Sequence, residues 1–250
     1  MTLLKQEVFV CLDCESTGLE PKTDRIVEIA VARFTFDQIL QQFESLIDPE
    51  CEIPKTSQEI HKISAEMVDG KPKIKEVLPH ILQMIGKHIL VGHGIFFDMS
   101  LIAAESERFG IPTKILSQPY IDTLRLARLY GESPVNSLEH LRQHFNIAFE
   151  GAHRAMNDVI VNIEVFKYLT KSFKSTGEIF KTLQKPIKLK TMPLGKHKGR
   201  RFDEIPLEYL LWAERKDFDQ DLLYSIRSEL KIRKRGGGFE QSSNPFSALG

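Results

Sequence analysis

Apolar residues recur along the chain with two spacings, and the changes of spacing mark the elements. Residues 7–13 (EVFVCLD) form a short apolar run, and 26–34 (IVEIAVARF) and 39–47 (ILQQFESLI) read as two more strands with a turn between them. ILVGHG at 89–94 reads as a buried strand entering a glycine-rich loop, and FFDMSLIAAESERFG after it as a helix stopped by Gly110. Helical spacing also covers 75–87, 123–130, 137–144 and 154–172, with Asp122 placed to cap the second of these. Strands first and strand–helix alternation afterwards predict an α/β layered fold, a sheet flanked by helices. From Lys174 to Pro193 the pattern weakens around Gly177 and Pro186, so a linker is expected at 176–187. It separates a first domain over 1–175 from a smaller unit over 188–235, which holds Trp212, the single tryptophan. From Gly236-Gly237-Gly238 onward the residues are too polar for a core, and 236–250 are expected to form a disordered tail.

Composition narrows the class. With 42% hydrophobic and 27% charged residues the chain reads as a globular protein, neither disordered nor membrane-embedded. The start, MTLLKQEVFV, lacks a long apolar run after a basic head, so no signal peptide, no membrane span and a cytoplasmic location are expected. Cys11, Cys14 and Cys51 cannot all pair within one chain and are expected to be reduced. Formal net charge is zero, yet residues 181–235 carry 15 Lys/Arg against 8 Asp/Glu, so an acidic unit is joined to a basic one. A basic unit suits a polyanionic partner, and equally a solvated surface.

The residues that carry chemistry are carboxylates at element ends. Asp13 and Glu15 stand two apart in a strand, point to one face and therefore converge. Strand ends often carry a solvated charge, but Asp98 just inside one helix and Asp158 in the first turns of another add two acids in similar settings. A helix N-terminus favours an ionised carboxylate, so Asp98 and Asp158 are expected to be charged at neutral pH. Four carboxylates brought together raise one another's pKa unless cations intervene. Oxygen-only ligands suit Mg²⁺ or Mn²⁺ rather than zinc, and two such ions about 3.5–4 Å apart serve phosphoryl hydrolysis. His153, in a loop entered from Gly151, is off the helical face of Asp158; an imidazole with a pKa near about 6.5 suits a general base there. Two other signals are discounted. Cys11 and Cys14 point to opposite faces of a strand and have no second cysteine pair. His140 and His144 share a helical face, but Leu141 stands where a zinc-protease helix needs glutamate.

In this order these residues resemble the DEDD exonuclease superfamily, whose members include the proofreading epsilon subunit of bacterial DNA polymerase III, RNase T and oligoribonuclease. The first motif is Asp13-Cys14-Glu15-Ser16-Thr17-Gly18-Leu19, followed by Arg25-Ile26-Val27-Glu28-Ile29-Ala30. The second is His93-Gly94-Ile95-Phe96-Phe97-Asp98 and the third His153-Arg154-Ala155-Met156-Asn157-Asp158. Arg154 stands where the tyrosine branch would carry Tyr, so the match is to the histidine branch (DEDDh). The resemblance implies an RNase H-like fold and two divalent metals held by Asp13, Glu15, Asp98 and Asp158. It also implies His153 as base and release of nucleoside 5′-monophosphates from a 3′ end. His61, in Ile60-His61-Lys62-Ile63, is implied to approach the terminal nucleotide, and Thr17 and Leu19 fall where main chain and wedge contact it. One departure stands out: the second motif usually reads His-Asn, and Gly94 lacks that amide's hydrogen bonds, so loop rigidity or activity is expected to differ.

Residues 192–230 are similar to a small bacterial domain often found behind such exonucleases, opening Met-Pro-x-Gly-Lys-x-x-Gly; Lys196, Lys198, Arg200 and Arg201 suit a phosphate backbone and equally a solvated turn. Gln241-Ser242-Ser243-Asn244-Pro245-Phe246 resembles clamp-binding peptides, with Gln241 for a polar pocket and Phe246 for an apolar one, although Asn244 is more polar than the usual residue; a plain disordered terminus is the alternative. The partners so implied are single-stranded or frayed 3′ ends, with a polymerase and a sliding clamp. The leading expectation is DNA proofreading or repair. A 3′ RNA exonuclease stays open, because no residue declares a sensor for the 2′-OH, as does a non-catalytic replication scaffold.

Overall fold

Five strands pair into one mixed sheet. The strands are β1 (Phe9–Ser16), β2 (Ile26–Phe34), β3 (Ile39–Leu46), β4 (Ile89–Gly92) and β5 (Tyr120–Asp122), in the order β3-β2-β1-β4-β5. β1–β2 and β2–β3 are antiparallel, β1–β4 and β4–β5 parallel. The structure is a computed structural model that describes residues 3–133, 135–148, 154–216 and 218–240, the last five of these by their backbone. The helices are α1 (Lys55–His61), α2 (Ala65–Val68), α3 (Ile74–Ile85), α4 (Phe96–Arg108), α5 (Thr123–Tyr130), α6 (Leu138–His144), α7 (Ala155–Leu169), α8 (Thr176–Leu183), α9 (Leu207–Ala213) and α10 (Gln220–Glu240). Among the described residues no helix is long and apolar enough to cross a membrane. The chain divides into two compact units, Met1–Leu183 and Gln184–Gly250.

Side-chain alternation in β1 builds two cores. Phe9 and Cys11 face one side, where Ala30, Ala32 and Phe34 of β2 meet Val159, Ile163 and Phe166 of α7. Phe9 and Phe166 pack edge to face with ring centroids 5.0 Å apart. Val10, Leu12 and Cys14 face the other side, against Leu78 and Ile81 of α3 and Met99 and Ile102 of α4. Cys11 and Cys14 thus lie in different cores, as the strand spacing predicts. Cutting a ring such as Phe166 back to Ala would cost about 3–5 kcal/mol through lost burial and the cavity left behind. β3, mostly exposed, forms the edge.

One register feature positions the site. β1 pairs with β4 only as far as Cys11–Val91 but continues to Ser16, so its last residues project beyond the parallel neighbour. The carboxyl ends of parallel strands, where following helices begin, are where open α/β sheets place ligands.

Three expectations are corrected. The segment 176–187, expected as a linker, is helical over Thr176–Leu183, and Ile179 and Leu183 are buried in the core beneath α7. Gly177 lies in that helix's first turn and Pro186 beyond its last, so neither interrupts it. The tail expected over 236–250 is helical at its start, since α10 runs through Gly236–Gly238 to Glu240. Glycine disfavours helix by about 1 kcal/mol each; Leu222, Ile226 and Leu230, packed in the second unit's core, anchor the helix these glycines extend. Gln241 and Phe246 lie outside the described residues. Finally, β5 was not expected as a strand: three residues are too few to show a period, and its pairing with β4 is what defines it.

Candidate metal centre

Asp13 and Glu15 continue the Cys11 side of β1, the side α7 covers. The Cys11 thiol donates to the Val159 carbonyl at 3.7 Å and accepts from Asn162 Nδ2 at 3.6 Å, which registers α7 against the strand. Asp158, one residue before Val159 in the first turn of α7, is thereby brought over the strand end. Ligand oxygens of Asp13, Glu15 and Asp158 all lie within 4.8 Å of one another. Asp98 arrives from the opposite side, in the first turn of α4, and its Oδ1 accepts the Cys14 N–H at 2.9 Å. That amide lies past the end of β4, so the carboxylate replaces a missing strand partner. Asp98 stands outside the three-carboxylate group but close enough to affect it electrostatically.

The crowding shifts the acids upward. Burial, then the charges of Asp98, Asp158, Glu15 and Glu28, hold the Asp13 carboxyl well above the usual range. Glu15 is pushed up to about 7 by burial, Asp158 and Glu28. Asp98 is raised to about 8, chiefly by burial, against the lowering effect of the hydrogen bonds from Cys14 and its own backbone. The expectation that a helix N-terminus keeps Asp98 ionised is therefore corrected. The helix dipole is worth about 0.3–1 kcal/mol, less than one pKa unit, and burial overrides it.

Glu28, which the first motif includes without a role, bears on the geometry of this site. Facing Glu15 across the β1–β2 register, it is 1% exposed and bonds the start of α7. Its Oε2 accepts the Ala155 N–H at 2.9 Å and its Oε1 takes Arg154 Nε at 2.8 Å and the Arg154 guanidinium again at 2.7 Å. Glu28 thus fixes the helix end that carries Asp158. The signal was available: one acid on the face of IVEIAVARF that is otherwise Ala30, Ala32 and Phe34. His153, which precedes Arg154, lies outside the described residues.

The three residues implied to meet a substrate are placed differently. Leu19 is 83% exposed just past β1. Thr17 is buried and stitches its loop: its hydroxyl donates to Asp24 at 2.9 Å, its amide to the Arg25 carbonyl at 2.9 Å, and its carbonyl accepts from Ser57 at 2.7 Å. His61 is buried at the end of α1, with Nδ1 accepting the Ile63 N–H at 3.0 Å and Nε2 unpartnered. Burial lowers its pKa, keeping the ring neutral. In the second motif, Gly94 adopts φ 75°, and its N–H donates to Asp122 Oδ1 at 2.9 Å. Asp122 also caps α5 through Leu124, at 2.9 Å, so a backbone bond secures the loop where an asparagine is usual. His93 is held between Thr123 Oγ1 at 3.1 Å and the Asn136 carbonyl at 2.8 Å, and burial lowers its pKa to about 4.

The sequence and the fold both have known relatives. Residues 10–166 match the RNase_T exonuclease family model, and the chain belongs to that family. Within it, the chain is 30% identical to the DNA polymerase III subunit epsilon of Aquifex aeolicus over 159 residues, covering 63% of this chain and 78% of that protein. It is 34% identical over 193 residues to the PolC-type DNA polymerase III of Clostridium perfringens, 74% of this chain but only 13% of that protein; the chain spans about an eighth of such relatives. The fold is shared with exonuclease X in complex with 5′ overhanging duplex DNA, at a TM-score of 0.57 and 24% identity over 71% of this chain and 99% of that one. It is shared also with the zinc-bound E. coli exonuclease I complex with single-stranded DNA, at a TM-score of 0.60 and 20% identity over 72% and 43%. Residues 181–233 match a second family model, described as a putative quorum-sensing-regulated virulence factor.

Proposed function

We propose that the first unit is a metal-dependent exonuclease that removes nucleotides from the 3′ end of DNA as 5′-monophosphates, in proofreading or repair. The observation that carries this reading is the convergence of Asp13, Glu15 and Asp158 within 4.8 Å at the end of β1. The donor set, with Asp98, is all oxygen, and burial first, then the neighbouring acids, holds protons on Glu15 to about 7 and on Asp98 to about 8. Both features fit Mg²⁺ or Mn²⁺. Two such ions supply the positive charge that activates a water and stabilises the oxygen leaving phosphorus.

The chain's own residues do the rest. Asp13 and Glu15 present their carboxylates from a rigid strand, and Glu28 holds the helix end that brings Asp158 to them. His153 is the group proposed to take the proton of the attacking water. Leu19, apolar and 83% exposed, suits a wedge beside the terminal base, and His61 at the end of α1 is the residue proposed to approach the terminal nucleotide. DNA is favoured over RNA because the epsilon and PolC-type relatives are components of DNA polymerase III.

The test is digestion of 5′-labelled DNA and RNA oligomers, single and double stranded, with Mg²⁺, Mn²⁺ or EDTA. Stepwise shortening of DNA from the 3′ end is expected with metal, and none in EDTA or with Asp13→Ala. Nuclease activity persisting in purified Asp13→Ala protein would overturn the metal assignment. Degradation confined to RNA would overturn the DNA reading.

A further inference from the structure

The second unit has a core of its own, and one side of its surface is organised in a way the exonuclease reading does not use. Residues 192–201 fold back on themselves: the Met192 N–H donates to the Arg200 carbonyl at 2.9 Å and the Gly199 N–H to the Met192 carbonyl at 2.8 Å. Gly195 and Gly199, at φ 72° and 83°, make the turns that this requires. Lys196, Lys198 and Arg200 are exposed on this loop, and among the described residues none has an ion pair, whereas Arg201 is bonded to Asp203 at 2.6 Å.

Between the lysines, His197 turns inward. Its ring lies edge-on to Tyr209 of α9 with centroids 4.5 Å apart, and its buried Nδ1 has no hydrogen-bond partner. A Cβ on Gly195 would stand 2.8 Å from the Tyr209 hydroxyl, so the loop is laid closely on α9. Tyr209 in turn packs on Trp212, at 5.2 Å between centroids, and Trp212 is 49% exposed. Lys216 Nζ lies over the Trp212 ring, 4.9 Å from its centre, so a base stacking on that face would displace this cation. The loop and helix thus join uncompensated cations to a half-exposed indole.

We infer that the loop around Lys196, Lys198 and Arg200, together with Trp212, is a single-stranded nucleic-acid site of the second unit, separate from the acidic centre. Cations beside an aromatic platform are what a single strand needs, phosphates meeting the charges and an unpaired base stacking on the ring. A duplex keeps its base faces covered and can use only the cations. The loop is laid on Tyr209, and Tyr209 packs on the chain's only tryptophan, which stands half out in water. Holding a strand on a unit tethered to the nuclease would raise the local concentration of ends without any contact to the acidic centre.

Because Trp212 is the single tryptophan, its fluorescence reports on this site alone. The experiment titrates the full-length protein with oligothymidylate in EDTA, so that hydrolysis plays no part. Saturable quenching that weakens with salt is expected. The variant Lys196→Glu/Lys198→Glu/Arg200→Glu should bind at least about tenfold more weakly, and its log–log salt slope should fall by about 2, since each phosphate neutralised on a single strand contributes about 0.7. Circular dichroism checks that the variant is folded. Absence of quenching, quenching retained by the triple variant, or equal quenching by blunt duplex each overturns the inference. A protein that cleaves DNA with metal yet shows no quenching refutes this site and leaves the exonuclease reading intact. Quenching without any cleavage does the reverse.

Discussion

Stripping divalent metal from this protein should make it less stable as pH rises from 6.5 to 8.5, the opposite of what ordinary carboxylates would do. In the folded, metal-free chain Glu15 and Asp98 keep their protons to about 7 and about 8, whereas unfolded they would lose them near about 4.3 and 3.9. A folded pKa raised above the unfolded one means stability that is fully present below the unfolded value and is lost as pH rises through the folded value. At about 1.4 kcal/mol per pKa unit, Asp98 gives up about 2 kcal/mol and Glu15 about 1 kcal/mol across this window. Asp13, raised by the same burial and repulsion, acts in the same direction. Cys11 and Cys14, whose thiols burial pushes up, add to the loss only toward the upper end. The buried histidines His61 and His93 have lowered pKa values, so what they withdraw is lost below about 6.5, outside the window. For a unit ending at Leu183, about 1 kcal/mol moves Tm by about 2–4 °C, so the loss of about 3 kcal/mol lowers Tm by about 6–12 °C. The assay is thermal unfolding followed by circular dichroism at pH 6.5, 7.5 and 8.5, in EDTA and in saturating Mg²⁺. Metal should remove the slope, stabilise most at pH 8.5, and release protons on binding at pH 6.5. Asp98→Asn should lose its share of the slope while keeping an acceptor for the Cys14 amide. A Tm in EDTA that is flat or rises with pH, with an equal Mg²⁺ increment at every pH, would refute the reasoning, because the acids would then be ionised without a cation.

Three further outcomes are expected. His153→Ala should lower turnover by about 10²–10⁴-fold while metal binding survives, and the acidic limb of the rate profile should go with it; near-normal turnover with an unchanged profile would assign the base elsewhere. Glu28→Gln removes the charge that Arg154 and the Ala155 amide share, and should destabilise by about 1.5–3 kcal/mol in urea unfolding while weakening metal binding; unchanged values in both would deny it the positioning role. Leu19→Ala, at an exposed site, should leave Tm nearly unchanged, within about 0.5 kcal/mol, but raise KM for a paired 3′ end more than for a single strand; an equal KM for both would remove the wedge.

Much of this protein was legible in the order of its residues because the informative signals are local. Strand alternation alone states that Asp13 and Glu15 share a face and that Cys11 and Cys14 do not, and Asp122 announces itself as a cap. The layered α/β class follows from the sequence of spacings in the same way. What the spacing could not supply was anything decided between segments distant along the chain. β5 exists because β4 offers it a parallel edge, and α8 is a helix rather than a linker because Ile179 and Leu183 find a core beneath α7. The same holds at the site. Position in a helix suggests that Asp98 is ionised, but its burial, with Glu15 and Asp122 nearby, raises it to about 8. Glu28 looks like a misplaced charge in an apolar strand until α7 lays the Ala155 amide and Arg154 against it. Local preference depends on neighbours a few residues away, which the sequence displays directly. Burial and charge depend on which surfaces the folded chain brings together, and those only the tertiary structure decides.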